Sequence, residues 1–292
     1  MGDFVQFVMT GLTIGSIYAI VALGFVTIYS VTKVINLAQG EFVMLGGMFM
    51  VTFVGMGVPY WIAFILTIIV VTIVGWILEL AIFRQVRGAD PISLIILTIG
   101  IAIFIRGLAS IGWGKESYRL DPFTSHEPLK VFNATVNVQS IWVMAIMIAV
   151  VILLYIIMEK TILGKAFRGT SDNPVAARLM GISPVKMATL AFSLSAALGA
   201  LAGVAIAPIM FPSYDVGIML GVKGFSAAIF GGLGSAPGAV IGGIIIGLVE
   251  SIGGGYISSG LKDALTFTFI LLVLLIRPSG IMGERSVGKG GL

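Results

Sequence analysis

The sequence has no cysteine, a single histidine (His126), and charged residues at only 10% of its positions. Without cysteine there is no disulfide framework, no thiolate metal site and no thiol nucleophile. One histidine excludes a histidine-rich metal site and leaves little basis for Ser-His-Asp chemistry. Soluble domains carry about 25% charged residues, so a chain this poor in charge cannot cover itself in water. Apolar residues fill the remainder: the set AVILMFWYC makes up 58% of 292 residues, and the mean hydropathy is +1.12. Disordered, collagen-like and ordinary cytosolic proteins are excluded. At about 20 apolar residues per crossing plus a short connection, the length holds at most about ten spans.

Continuous apolar runs at 7–29, 37–54, 60–83, 92–113, 141–158, 187–209, 225–257 and 264–276 read as helices. A membrane β-barrel would need segments of about ten alternating residues, and these runs do not alternate. The expected fold is an all-α polytopic membrane protein, one transmembrane domain over 1–292, with about eight hydrophobic helical segments. The first run is too long, and its leading residues too poor in basic charge, for a cleaved signal.

Lys160, Lys165, Arg168, Arg178 and Lys186 concentrate in 159–186, which the positive-inside rule places in the cytoplasm. Counting back puts Lys33, Arg84 and Arg87 inside, and the N-terminus and the loop 114–140 outside. The run Val131–Val138 in that loop can form a small hairpin. Arg277, Arg285 and Lys289 pull the C-terminus inside, which a single crossing over 225–257 would not permit. That run is broken at Gly231–Gly238, and is expected to be a re-entrant half-helix followed by a returning helix. Irregular backbone at membrane depth has to be buried in protein or line a cavity. The break therefore points to the interior, with Gly232, Gly234, Ser235, Pro237 and Gly238 as candidate path residues. Gln39–Gly47 and Pro237–Gly243 also resemble each other as a short internal repeat. Gly199, Gly203, Gly242, Gly243 and Gly247 give small-xxx-small spacings that allow close helix packing.

Within 164–182, Asn173 is a good N-cap, Pro174 suits the first helical position and Gly181 suits the left-handed residue beyond the end. A two-turn helix should lie between them, too short to be stable alone. Ala176 and Ala177 permit close approach, and Arg168 and Arg178 offer charge-assisted contacts. An ordinary capped loop is the alternative.

The Ala-Ala-x-x-x-Gly-Ile core of this segment resembles the cytoplasmic coupling loop of ABC importer permeases, with Val175 where the usual glutamate stands. Gly11–Ala19, Ile35–Glu41, Phe230–Ala239 and Arg277–Ile281 resemble, in order, the LivH-type branched-chain amino acid permeases. The resemblance implies an inner-membrane subunit paired with a homologous second permease, two cytoplasmic ATPases and a periplasmic solute-binding protein. It implies that Arg168, Asp172, Asn173, Pro174, Ala176, Ala177, Arg178 and Gly181 form the ATPase contact. The sequence agrees that ATP is bound elsewhere, because Gly232–Gly238 lacks the lysine of a phosphate-binding loop. No catalytic residue, metal site, cofactor or nucleic-acid partner is expected of this chain. Amino acids, most simply branched-chain ones, are the implied solute. Permeases for urea, amides or aromatic acids, and a stand-alone carrier or channel, are the alternatives.

Asn36, Gln39, Gly40 and Glu41 gather polar side chains where an apolar helix begins, and are the other candidate path residues. A helix N-terminus can receive a carboxylate, and Glu41 can meet an ammonium group. Glu41 can equally offset the helix dipole, with Asn36 as a cap. Among other ionisable residues, Glu79 is near Arg84 and Arg87, Arg106 lies within reach of the outer interface, Glu250 has no local partner, and His126 lies in a polar loop.

Overall fold

The computed structural model describes residues 2–86, 88–124, 127–131 and 134–283. Arg87, His126, Arg285 and Lys289 lie outside them. The first helix, α1 (Gly2–Thr32), is apolar on every side. A helix with no polar face has to be surrounded, and 89% of the residues in an apolar 18-residue window of α1 are buried. Gln6 at its start exchanges hydrogen bonds of 2.8 and 3.0 Å with the Thr135 backbone. Thr135 belongs to the expected hairpin, β1 (Leu129–Val131) and β2 (Ala134–Val136). Val31 near the other end packs with Phe167 and Met187. Helix α1 thus connects a hairpin end of the bundle to a short-helix end.

Helices α2 (Gln39–Gly55), α3 (Tyr60–Leu78, extended by a π-helical turn Glu79–Phe83), α4 (Pro91–Gly112) and α5 (Val138–Lys160) follow. Two short helices, α6 (Ile162–Asp172) and α7 (Pro174–Leu179), then lead to α8 (Pro184–Met210), α9 (Val216–Gly231), α10 (Ala236–Tyr256) and α11 (Lys262–Ile276). Asp90, Asn173, Ser183 and Ser235 each cap a helix with proline at one of its first two positions, a strong start signal. Among the described residues, seven helices are long and apolar enough to cross a membrane. The shorter α2 and α9 are also apolar.

Small residues make the central seam. A side chain added at Gly11 or Gly15 would run into the Leu248 or Ile244 backbone, and one at Gly243 or Gly247 into the backbone of Ala19 or Gly15. Helices α1 and α10 therefore meet backbone to backbone and antiparallel. Gly46 and Gly203 do the same between α2 and α8. Hydrophobic burial cannot separate helix from lipid, so such close packing carries the association.

Helices α9 and α10 form the half-helix and returning helix expected over 225–257, but α9 begins nine residues earlier, at Val216. The break differs in its surroundings from the expectation. Gly232 (φ 109°) ends α9, Ser235 accepts a 3.1 Å hydrogen bond from the Gly238 amide, and Pro237 stands in the first turn of α10. Gly234, Ala236 and Pro237 are exposed. The C-terminal strand of chain covers the turn through hydrogen bonds from Ile281 N to Phe230 O and from Met282 N to Gly231 O. The residues expected to line an interior path are therefore a capped helix–helix turn at the short-helix end. The start of α2 meets the start of α9, where Gly217 and Gly221 abut Gly40.

The seam gives a direct test. Gly247→Ala forces one methyl group into the Gly15 backbone and should lower stability by about 1–3 kcal/mol, the usual range for overpacking. Gly100→Ala, where no atom lies within 4 Å of the new carbon, should not lower it. Thermal unfolding of the two variants in detergent checks this, and equal midpoints would contradict the seam.

Candidate functional site

The chain between α1 and α2 turns back into the bundle and places its polar residues in the core. Asn36, Gln39 and Glu41 are 1%, 0% and 2% exposed. Gln39 Nε2 donates to the Ser195 carbonyl of α8 at 3.0 Å. The Ser195 hydroxyl lies 2.8 Å from the Gly24 carbonyl and 2.5 Å from Gln39 Oε1. Gln39 thereby ties α1, α2 and α8 together. The Asn36 Oδ1 accepts from the Ala38 amide at 3.2 Å in a turn just ahead of α2, whose cap position is Ala38 and carries no side-chain cap, while the Leu37 amide donates to Thr98 of α4. Gly40 brings no side chain and lets α9 approach.

The cation facing Glu41 comes from the chain itself. Arg106 reaches inward rather than to the outer interface and places Nη2 at 2.5 Å from Glu41 Oε1. Glu41 Oε2, Asn36 Nδ2 and Arg106 Nε have no hydrogen-bond partner among the described residues. Buried polar atoms are satisfied in the great majority of cases, so this concentration sets the region apart from the rest of the core.

A second buried charge group joins α1, α9, α10 and α11. Lys223 Nζ is 2.6 Å from both Glu250 Oε1 and Asp263 Oδ1, and the Tyr18 hydroxyl donates to Glu250 Oε2 at 2.8 Å. Lys262 adds a 3.8 Å contact. Glu250 therefore has its partner after all, 27 residues away in sequence. Sequence reasoning passed over Lys223, although a lone lysine in an apolar helix was a usable signal. Glu79, in the π-helical turn, accepts from the Thr189 hydroxyl at 2.7 Å.

At the short-helix end, α7 has the expected form. Asn173 Oδ1 accepts from the amides of Val175 and Ala176, both at 3.0 Å, and Gly181 takes φ 80°. Helix α6 was not anticipated. It is capped by Thr161 and buries Gly164, Phe167 and Thr170. Arg168 bonds Glu159 Oε1 and the Met158 carbonyl, both at 2.8 Å. It fastens α6 to the end of α5 rather than standing free. Ala177 faces the bundle while Asp172, Asn173, Pro174, Ala176 and Arg178 are exposed. Arg178 also lines a cavity of about 240 Å³ with Val31, Glu79, Phe83, Leu94 and Phe192. The most conspicuous feature of α7 is apolar: Val175, Leu179 and Met180 are 68%, 85% and 81% exposed.

Comparison with known proteins finds similar sequences among transport permeases. The family profile described as branched-chain amino acid transport system / permease component matches residues 7–276. The high-affinity branched-chain amino acid transport system permease protein LivH of Salmonella typhimurium is 32% identical, with 98% of this chain and 97% of that protein covered. The corresponding BraD protein of Pseudomonas aeruginosa is 31% identical, with 98% of each covered. A probable LivH of Methanocaldococcus jannaschii is 31% identical over 92% of this chain and 89% of its own.

The Lys223 group generates a prediction. Lys223→Met leaves Glu250 buried without its strong partner and should cost about 3–5 kcal/mol. Adding Glu250→Gln should recover part of that loss. A double-mutant cycle on thermal or denaturant unfolding in detergent measures the coupling, and additive losses would show that the two charges act independently.

Proposed function

The chain belongs to the branched-chain amino acid transport permease family, and on that premise we propose that it carries branched-chain amino acids across the bacterial inner membrane. It is a multi-pass permease subunit of the ABC importer type, a transport component and not itself an enzyme. The named activity of its relatives supports the choice of solute. In this reading a homologous second permease completes the pathway, two cytoplasmic ATPases bind and hydrolyse ATP, and a periplasmic protein delivers the solute.

The observation that carries the coupling role is α7: a capped two-turn helix with Val175, Leu179 and Met180 facing outward at one end of the bundle. Apolar side chains so exposed beside basic residues suit a protein partner. Lys160, Lys165, Arg168, Arg178 and Lys186 all lie at that end, which supports placing it in the cytoplasm. The N-terminus is then outside and the C-terminus inside. Asp172, Asn173, Pro174, Ala176, Ala177, Arg178 and Gly181 shape or present the lever, and Arg168 anchors it.

Movement of α7 passes through the Ser183–Pro184 cap into α8. Helix α8 carries Ser195, and Ser195 holds Gln39. A displacement of α8 thus acts on Asn36, Gln39, Gly40 and Glu41, which we assign to the path. A two-state rocking of packed helices is the kind of motion this linkage supports. Glu41 offers Oε2 and Asn36 offers Nδ2 toward an amino acid's ammonium and carboxylate groups.

The lever is tested by Val175→Asp combined with Leu179→Asp in the assembled importer. Solute-stimulated ATPase activity in proteoliposomes should fall at least about tenfold while membrane insertion is retained, since two apolar contacts are lost at a small interface. Full stimulation would refute the assignment.

A further inference from the structure

Between α3 and the start of α8, at the short-helix end, lies an open cleft of about 590 Å³. Along its length it is apolar, lined by Trp76, Leu80, Val185 and Leu190, and it also holds Arg84 and Lys186. Both cations are exposed. Neither forms an ion pair among the described residues, whereas Arg106, Arg168, Lys223 and Lys262 all do. Trp76 and Leu190 are 46% and 42% exposed, so the cleft opens sideways where a membrane-spanning helix meets lipid. Helix α3 turns Ile62, Ile65, Ile69 and Ile73 outward as well, which puts it at the periphery.

The chemistry selects an amphiphile. A soluble anion has no use for the apolar length, and a neutral acyl chain leaves two cations unanswered at the membrane edge. Trp76 stands eight residues before Arg84, roughly 12 Å at the helical rise, a depth reached by the upper part of an acyl chain. We propose that this cleft binds an anionic phospholipid, with its phosphate between Arg84 and Lys186 and a chain laid along Trp76, Leu80 and Leu190. Basic pockets between membrane helices recognise such headgroups. The lipid bridges α3 to the first turn of α8, the helix that follows the lever. Thr189, on the same wall, holds Glu79 of the π-helical turn. A bound lipid therefore steadies the α3–α8 contact against which α7 works. This inference is independent of which solute is carried.

Native mass spectrometry of the assembled importer, released from nanodiscs of mixed phosphatidylglycerol and phosphatidylcholine, tests it. The wild type should retain phosphatidylglycerol over phosphatidylcholine by about tenfold, as two headgroup cations warrant. R84Q/K186Q should bring the ratio near one, whereas K160Q/K165Q, which removes two cations at the same end outside the cleft, should preserve it. Ser193→Phe, which fills the cleft without touching either cation, should lower retention too. The proposal is overturned if R84Q/K186Q keeps the wild-type ratio, if Ser193→Phe changes nothing, or if excess glycerol phosphate displaces the lipid.

Discussion

Backbone contact between α1 and α10 is the constraint on which the rest of the bundle depends. Gly11, Gly15 and Ala19 on one helix meet the backbone of Ile244, Gly247 and Leu248 and the open face of Gly243 on the other, with little more than the Ala19 methyl group between them. In lipid, where apolar surface gains little by leaving its surroundings, contact of this kind holds helices together. Because α1 is apolar on all sides and enclosed along its middle, from Gly11 to Ile28, it fixes the positions of α5, α8, α9 and α10 around it. Helices α3, α4 and α11 complete the periphery, and their outward faces remain apolar for the bilayer.

Against that apolar background the polar interior is sparse and organised in pairs that cross between helices. Gln39 with Ser195, Glu41 with Arg106, Lys223 with Glu250 and Asp263, and Glu79 with Thr189 each join elements distant in sequence. Such groups are costly to bury and strongly destabilising to separate, so they restrict how helices can slide. The lever region is built on the opposite principle. Helix α7 holds itself by a cap and a terminal glycine, contacts the bundle through little more than Ala177, and leaves its apolar side chains outward.

What was legible in the sequence was local. Asn173, Pro174 and Gly181 specify α7 because capping acts within a few residues. The hairpin and nearly every span were legible because each depends on a continuous run. The partners of the polar residues were not, since Ser195 is 156 residues from Gln39 and Arg106 is 65 from Glu41. Nothing in a helix's own sequence reports which neighbour it will face. Helix α6 escaped because its buried stripe, Gly164, Phe167 and Thr170, contains a single large apolar residue. The Gly-Ser-Ala-Pro-Gly run announced a break correctly, but glycine and proline signal that a chain turns, not how deep in the bundle it does so.

The meeting of Gly40 with Gly217 has a consequence for the symmetry of the molecule. A long enclosed helix followed by a short one that starts inside the bundle occurs twice, as α1–α2 and as α8–α9. The two copies run in opposite senses, since Val31 lies beside Met187 and Gly24 beside Ser195. The glycine contact thus joins corresponding positions, the second residue of each short helix. Neither start can take up a side chain without pushing the other away, so the two breaks are held at one common depth in the bundle.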